Sequence, residues 1–192
     1  MNNFFRNRAS MGRILQLQDI AVSSSERGYI AGGTVAGGSG KTNRIEKFLF
    51  STEGWTLLVA TLDVENRGVC GLCSTLKGYV CGEPNNGTRI EDIDFTAETS
   101  VTISATLDAG TMHAAPVNVP ATKGFICGGY NRQANIGKLT YYGETEAAIA
   151  ASLDIGRQTA AGESSATNGY ILGGENGGPS VYISKLVFSA ET

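Results

Sequence analysis

Four copies of one pattern run through the chain, and this repetition restricts its fold more than any other feature. Each copy contains a short apolar segment led by glycine, and these segments are GYIAGG from Gly28, GYVCGE from Gly78, GFICGG from Gly124 and GYILGG from Gly169. A second common block begins at Ile45, Ile90, Ile136 and Ile183. The copies follow one another at intervals of 45 to 50 residues. A repeat of this length is one supersecondary unit that cannot bury its apolar faces alone, so neighbouring units must stack.

Within each copy the residue types are those of short antiparallel strands. The segments KGYVCG, RIEDIDF and SVTISATL are rich in β-branched and aromatic residues and are bounded by turn residues. The segments STEG, TAET, YGET and SAET follow the middle strands and predict tight hairpins. One more strand is predicted ahead of each later glycine-led segment, in GVCGLCST, HAAPVNVP and TAAGESSA. Each unit therefore holds four antiparallel strands, and four such sheets packed around an axis predict an all-β fold.

A pair of glycines closes the second strand of most units, and in this respect the chain resembles kelch repeats. The pairs are Gly32-Gly33, Gly128-Gly129 and Gly173-Gly174, with Gly82-Glu83 in the second unit. Kelch units also carry a tryptophan near the fourth strand, and only Trp55 occupies such a place. The resemblance covers the chain from about Gln16 onward and extends to compact repeat proteins of phages and bacteria. It implies a four-bladed β-propeller whose blades are four-stranded antiparallel sheets.

The two ends of the chain predict how such a ring closes. The last repeat stops at Thr192 and 27 residues precede Gly28, which together supply about one missing half-unit. We expect residues 17–26 to form the innermost strand of the first blade and residues 4–14 the outer strand of the last blade. Pairing of the N- and C-terminal segments then removes an exposed sheet edge. The alternative is that one chain's start completes a neighbour's last blade. The predicted organisation is an N-terminal arm at residues 1–15 and a propeller at residues 16–192.

The segment AGGSGKT ends like a phosphate-binding P-loop, but its spacing does not fit. The P-loop pattern requires a glycine five residues before Gly40, and the chain has Val35 there. The sister repeats carry PNNGTR, YNRQAN and ENGGPSVY at this place, all of them made of turn residues. We therefore interpret the segment as the longest of four equivalent loops.

The cysteines and the histidine favour packing over metal or redox chemistry. Cys70 and Cys73 form a C-x-x-C pair, but residues three apart on a strand point to opposite faces. Cys81 and Cys127 occupy a repeat position that takes an apolar residue, which free cysteine replaces well. His113 is the only histidine, which is too few for a multi-histidine metal site. We expect no metal and no cofactor.

The recurring acidic residues do not predict an enzyme. Each repeat contributes one carboxylate to a hairpin, at Glu53, Glu98, Glu144 and Glu191. Another follows the outer strand of the first three repeats, at Asp63, Asp108 and Asp154. One carboxylate per blade spreads these groups around the ring, whereas glycosidases need two within about 10 Å. We interpret both sets as solvated turn residues.

The variable loops are the predicted binding surface, because equivalent loops emerge on one face of a propeller. Their amides, cationic side chains and tyrosine suit contacts with sugars or peptides, although surface loops in general have such a composition. The candidate residues are Lys41, Asn43, Arg44, Asn85, Asn86, Arg89, Tyr130, Arg132, Asn135 and Asn176.

The overall composition narrows the function further. A formal net charge of −3 gives no basic surface for nucleic acid, and no apolar run is long enough to cross a membrane. The N-terminus lacks the apolar region of a signal peptide, and its acid-free start with Arg6, Arg8 and Arg13 admits an organelle transit peptide as a minor alternative. We expect a non-enzymatic structural propeller. The resemblance suggests a phage tail or capsid-attached protein, located in the virion or the host cytoplasm, with other protein subunits as partners in a homo-oligomer or larger assembly. The alternative is a glycan- or receptor-binding module that uses the loop face.

Overall fold

The computed structural model describes residues 14–16, 27–34, 40–83, 87–119 and 121–192. These residues form 15 β-strands arranged in four antiparallel sheets, which confirms the predicted all-β class. Within these ranges there is no helix with the length and apolarity needed to span a bilayer.

The strands follow the chain in order, so that each sheet comes from one repeat. Sheet 1 contains β1 (Ile14–Gln16), β2 (Arg27–Ala31), β3 (Thr42–Leu49) and β4 (Gly54–Asn66). Sheet 2 contains β5 (Cys70–Cys73), β6 (Lys77–Glu83), β7 (Gly87–Asp94) and β8 (Thr99–Thr106). Sheet 3 contains β9 (Ala115–Val119), β10 (Lys123–Cys127), β11 (Asn135–Thr140) and β12 (Thr145–Ser152). Sheet 4 contains β13 (Ala161–Ser164), β14 (Asn168–Leu172) and β15 (Ile183–Val187).

The first strand lies nearer the N-terminus than the sequence predicts. The strand predicted at residues 17–26 lies outside the described residues. Ile14 and Leu15 are apolar residues that suit a strand. Ile14 pairs with Ile30 and Gln16 pairs with Gly28, so residues 14–16 lie beside β2. Ile14 is therefore not part of an outer strand of sheet 4, and residues 4–13 of that predicted strand lie outside the described residues.

Consecutive sheets pack face to face through three apolar cores. The first core joins sheets 1 and 2 and includes Tyr29, Ile45 and Ile93. The second joins sheets 2 and 3 around Tyr79 and Leu139, and the third joins sheets 3 and 4. We call the face of a sheet that looks toward the next sheet of the chain its front face, and the opposite face its rear face. Front and rear faces meet in the three cores.

The C-x-x-C pair illustrates this division of faces. Cys70 belongs to the core between sheets 2 and 3, while Cys73 belongs to the core between sheets 1 and 2. The prediction that the two thiols point to opposite faces is confirmed. Burial raises the pKa of the Cys127 thiol, and a hydrogen bond with Cys70 and, second, burial raise the pKa of the Cys81 thiol. These thiols are therefore neutral packing groups at ordinary pH.

The paired glycines lie after the second strand of a sheet, and they leave room for the segment that connects this sheet to the next one. Gly128 and Gly129 both have positive φ, and the Gly129 N–H donates to the Arg157 carbonyl at 3.0 Å. Gly33 makes the same contact with the Asn66 carbonyl at 2.7 Å. A Cβ atom on Gly128 would lie 2.5 Å from the Arg157 carbonyl oxygen, so a side chain does not fit there. The glycine pairs thus serve the connection between sheets.

Candidate interaction surfaces

The loops between the second and third strands of the sheets carry the predicted binding residues. Arg132 in the loop of sheet 3 lies 3.9 Å from Glu175 in the loop of sheet 4, so two of these loops meet on one surface. Tyr130 is 39% exposed and Asn176 is also exposed, so both remain accessible on this surface. We call the surface formed by these two loops the loop face.

The other predicted loop residues are mostly engaged within the protein or lie outside the described residues. Arg89 forms ion pairs with Asp63 at 3.4 Å and with Glu83 at 3.5 Å, which neutralise its charge. Asn43 donates to the Leu62 carbonyl at 3.3 Å. Lys41 forms an isolated β-bridge with Thr34.

Arg44 is exposed on β3, whereas Asn135 has a buried amide oxygen without a hydrogen-bond partner in the described residues. Asn85 and Asn86 lie outside the described residues. The structure therefore brings together only part of the predicted set.

An aromatic stack recurs where consecutive sheets pack. The ring that follows the leading glycine of one sheet stacks on the ring that precedes the hairpin of the next sheet. The pairs are Tyr29 with Phe95 at 4.9 Å between ring centroids, Tyr79 with Tyr141 at 5.2 Å, and Phe125 with Phe188 at 5.7 Å. Their interplanar angles are 16°, 2° and 5°, so all three are parallel stacks.

An ion pair lies beside each aromatic stack. The hairpin glutamate of the later sheet accepts from a lysine of the earlier sheet. The pairs are Glu98 with Lys47 at 2.6 Å, Glu144 with Lys77 at 2.7 Å, and Glu191 with Lys123 at 2.7 Å and Lys138 at 2.9 Å. The interpretation of the hairpin glutamates as solvated turn residues is therefore wrong for these three, which are partly buried.

The ion pairs also change the titration of their members. Hydrogen bonds from Lys123 and Lys138 lower the pKa of the Glu191 carboxyl. Hydrogen bonds to Asp92 and Glu144 raise the pKa of the Lys77 ammonium. Both shifts favour the charged forms, so the pairs persist across the neutral range.

The recurring aspartates also contact the next sheet; Asp63 lies within the last part of β4 and Asp154 follows β12. The Asp63 N–H donates to Glu91 at 2.7 Å, and the Asp63 carboxylate accepts from Thr102. The Asp154 carboxylate accepts from Ser184 of sheet 4, and this hydrogen bond lowers the pKa of Asp154. These groups thus link sheets, although the side chains of Asp63 and Asp154 remain about half exposed.

Sheet 1 has an uncovered rear face. Trp55 and Leu57 of β4 are 53% and 54% exposed, and they pair with Phe48 and Glu46 of β3. The same registers in sheet 2 hold Ser100 and Thr102, and Thr102 contacts sheet 1. Trp55 and Leu57 therefore point toward the side on which a preceding sheet would lie.

Further aromatic and acidic side chains complete this surface. Phe48 packs against Phe50 at 5.2 Å and against Trp55 at 4.6 Å, and Glu53 of the adjacent hairpin is exposed. We call the surface formed by Phe48, Phe50, Glu53, Trp55 and Leu57 the rear patch.

Sheet 4 has an uncovered front face. Ile45, Ile90 and Ile136 are 0%, 0% and 3% exposed in the first three sheets, whereas their counterpart Ile183 is 67% exposed. Ile183 pairs with Leu172, and Tyr170 pairs with Lys185, an exposed lysine at the position of Lys47. We call the surface formed by Tyr170, Leu172, Ile183 and Lys185 the front patch.

Neither patch is predicted from the repeat pattern, because the repeats are similar in sequence while their positions in the array differ. The detectable signal was Trp55 and Leu57 in place of Ser100 and Thr102, which makes one face of β4 apolar. The inner strand of sheet 4 is more polar than its counterparts in sheets 2 and 3. Exposed Glu163 takes the position of Leu72 and Val117 there, so the front patch has a polar inner edge.

One buried cation lies where sheets 3 and 4 meet. The side chain of Arg157 has no exposed surface, and its Nη2 atom donates to Ser184 and lies 3.6 Å from Asp154. Its Nε and Nη1 atoms have no partner among the described residues. Arg157 occupies the repeat position of Asn66, the last residue of β4, and of Thr111, and all three are buried polar residues. Asn66 donates to the Gly82 carbonyl of sheet 2 at 3.1 Å, so Asn66 and Arg157 both link consecutive sheets.

Comparison with known proteins adds no family assignment. No protein-family model matches the chain, and no curated protein matches its sequence. In the described ranges, no group of three or more histidine, cysteine, aspartate or glutamate side chains has an arrangement that could hold a metal ion.

Proposed function

We propose that the four sheets are the blades of a kelch-like β-propeller and that the chain has a non-enzymatic, structural role in a larger protein assembly. In this role it acts through contacts with other protein subunits. The observation that carries the proposal is that both terminal sheets expose apolar faces whose counterparts elsewhere in the chain are buried.

The uncovered faces support a protein partner because of their chemistry. Trp55, Leu57 and Ile183 are large apolar side chains with more than half of their surface exposed. Contiguous apolar patches of this kind on a folded protein mark interaction sites, and aromatic residues are enriched in the centres of interfaces. A face that lacks a covering sheet is also costly in water, which favours an occupied state.

The setting of the assembly comes from the resemblance to phage-encoded repeat proteins. We propose that the chain is a tail or capsid-attached component located in the virion or the host cytoplasm. Pairing of the N- and C-terminal segments within one chain is one predicted way of closing the four blades, and completion by a neighbouring chain is the other. The exposed faces of sheets 1 and 4 favour completion by a neighbouring chain, and residues 1–13 lie outside the described ranges.

Self-association tests the structural role directly. We expect light scattering coupled to size-exclusion chromatography to give a mass above that of the 20.1 kDa chain at micromolar concentrations. Replacing the apolar pair on β4, as Trp55→Ser with Leu57→Ser, should return the protein to a monomer with unchanged circular dichroism. The control is Tyr142→Ser, since Tyr142 is 95% exposed and lies in the hairpin of sheet 3, outside both patches. A wild-type protein that is monomeric throughout the concentration series contradicts the proposal.

A glycan-binding role of the loop face is the second candidate. The observation that favours it is the exposed Tyr130 ring, which lies next to the loop contact between Arg132 and Glu175. Aromatic rings beside polar side chains are suited to stack on sugars. Binding on a glycan array that Tyr130→Ala abolishes, combined with a monomeric protein, would support this role in place of the first.

A further inference from the structure

We propose that the front patch of sheet 4 binds the rear patch of sheet 1 on a second copy of the chain, so that copies join head to tail. This inference rests on the proposed structural role and names its partner and its contact residues. It follows from the three sheet-to-sheet contacts that the structure contains, because the two patches are the separated halves of a fourth.

The aromatic halves match. Tyr170 occupies the position of Tyr29, Tyr79 and Phe125, each of which stacks on a ring of the next sheet. Phe50 occupies the position of Phe95, Tyr141 and Phe188, which provide those partner rings. In the described residues Phe50 packs edge-on against Phe48 of its own sheet, and 41% of its surface is exposed. Tyr170 and Phe50 are thus the rings available for a fourth stack.

The charged halves match as well. Lys185 occupies the position of Lys47 and Lys138, which bind hairpin glutamates of the following sheet. Glu53 is the equivalent of Glu98 and Glu191 and has the same positive φ, 51° against 54° for both. Within the described residues, neither Lys185 nor Glu53 forms an ion pair, and both are exposed. A contact between the patches brings opposite charges together.

The apolar centres complete the fit. In each established contact the repeat isoleucine packs in one core with an apolar residue of the next sheet, as Ile45 does with Ile93 and Ile136 with Leu186. Ile183 is the corresponding residue of sheet 4, and Phe48 is the corresponding residue of sheet 1. Covering Ile183, which is 67% exposed, removes a large apolar side chain from water and so favours the contact.

A second copy is the partner because the described chain leaves the two patches apart. Its extensive sheet-to-sheet packing joins sheets 1 and 2, sheets 2 and 3, and sheets 3 and 4, and includes no comparable packing of sheet 4 on sheet 1. The patches are different surfaces that complement each other, so contact between copies is heterologous. Such contacts build rings when the rotation closes and filaments when it does not.

Charge exchange between two variants tests this contact. Glu53→Lys places two lysines opposite each other in every head-to-tail contact, and Lys185→Glu places two glutamates there. We expect each variant alone to associate at least tenfold more weakly than the wild-type protein, because like charges at an interface are repulsive. An equimolar mixture of the two variants should regain wild-type association, since each contact then pairs a lysine with a glutamate.

The matched control is Glu65→Lys, which makes the same charge change at an exposed position near the opposite end of β4 from the hairpin. It should associate like the wild-type protein, and circular dichroism and melting curves confirm that each variant is folded. Restoration by mixing supports contact between copies. A mixture that associates no better than the single variants, or single variants that associate as strongly as the wild-type protein, shows that this contact does not join the copies and overturns the inference. A wild-type protein that never associates overturns the structural role itself, so the two failures are distinguishable.

Discussion

Four glutamates in the hairpins adopt a backbone conformation that usually belongs to glycine or asparagine. Glu53, Glu98, Glu144 and Glu191 have φ between 49° and 54°. A non-glycine residue in this region costs on the order of 1 kcal/mol. In three of the four sheets the side chain offsets this cost with a lysine of the neighbouring sheet. The residue choice is thus explained by the contact between sheets and not by the turn alone.

Glu146 is a residue whose ionisation opposes folding. Burial and, second, the charge of Asp108 raise the pKa of Glu146 to about 7, and one of its carboxylate oxygens is buried without a hydrogen-bond partner among the described residues. Because the folded pKa exceeds that of the unfolded chain, the penalty is complete above pH 7 and fades as the pH falls toward 4.5. We expect Glu146→Gln to raise the free energy of unfolding by about 1–3 kcal/mol at pH 8 and to have little effect at pH 4.

Urea unfolding of both proteins across this pH range measures the difference. Glu191→Gln is the control of opposite sign, since its pKa is lowered by Lys123 and Lys138. Its contribution is present above the unfolded pKa and is lost as the pH falls, so this variant should be destabilised at pH 8 and approach the wild-type protein in acid. An equal effect of Glu146→Gln at pH 8 and pH 4 would show that packing, and not charge, determines its contribution.

At the level of the structural element, the glycine pairs set how closely a connecting segment approaches a strand end. Gly128 combines φ of +65° with a Cβ position only 2.5 Å from the Arg157 carbonyl oxygen. Gly177 has a similar φ of +76°, but nothing lies within 4 Å of its Cβ position. Substitution of Gly177 therefore tests backbone strain alone, whereas substitution of Gly128 tests backbone strain together with a steric clash.

We expect Gly128→Ala to lower the free energy of unfolding by about 2–4 kcal/mol, because the carbonyl of the connection must move away. Gly177→Ala should cost about 1 kcal/mol, which is the cost of the left-handed conformation alone. Midpoints of urea denaturation measure both. If the two substitutions cost the same, the close approach of the connection to Gly128 is not what requires glycine there.

For the whole molecule, periodicity predicted the strands well and the ends poorly. The blocks led by Gly78 and Ile90 became β6 and β7 because a residue pattern that recurs within the chain fixes local structure and register. The pairing of residues 14–16 with β2 was not predicted, because the N-terminal segment has no sister segment of matching sequence for comparison. The hairpin ion pairs join residues about 50 or more positions apart, so spacing within one repeat does not reveal them. The uncovered faces arise because sheets 1 and 4 are the first and last of the array, and the sequence of a single repeat does not show its place in the array.

Position in the array should therefore separate residues that the repeat makes equivalent. Ile90 is fully buried between sheets 2 and 3, whereas Ile183 is 67% exposed on sheet 4. We expect Ile90→Ala to lower the free energy of unfolding by about 3–4 kcal/mol at any protein concentration. Ile183→Ala should cost less than about 1 kcal/mol in dilute solution, and more as the concentration rises, because association with a second copy stabilises the folded state by mass action. Thermal unfolding over a hundredfold range of concentration measures both. A cost for Ile183→Ala that matches that of Ile90→Ala at the lowest concentration would mean that sheet 4 is already covered within one chain.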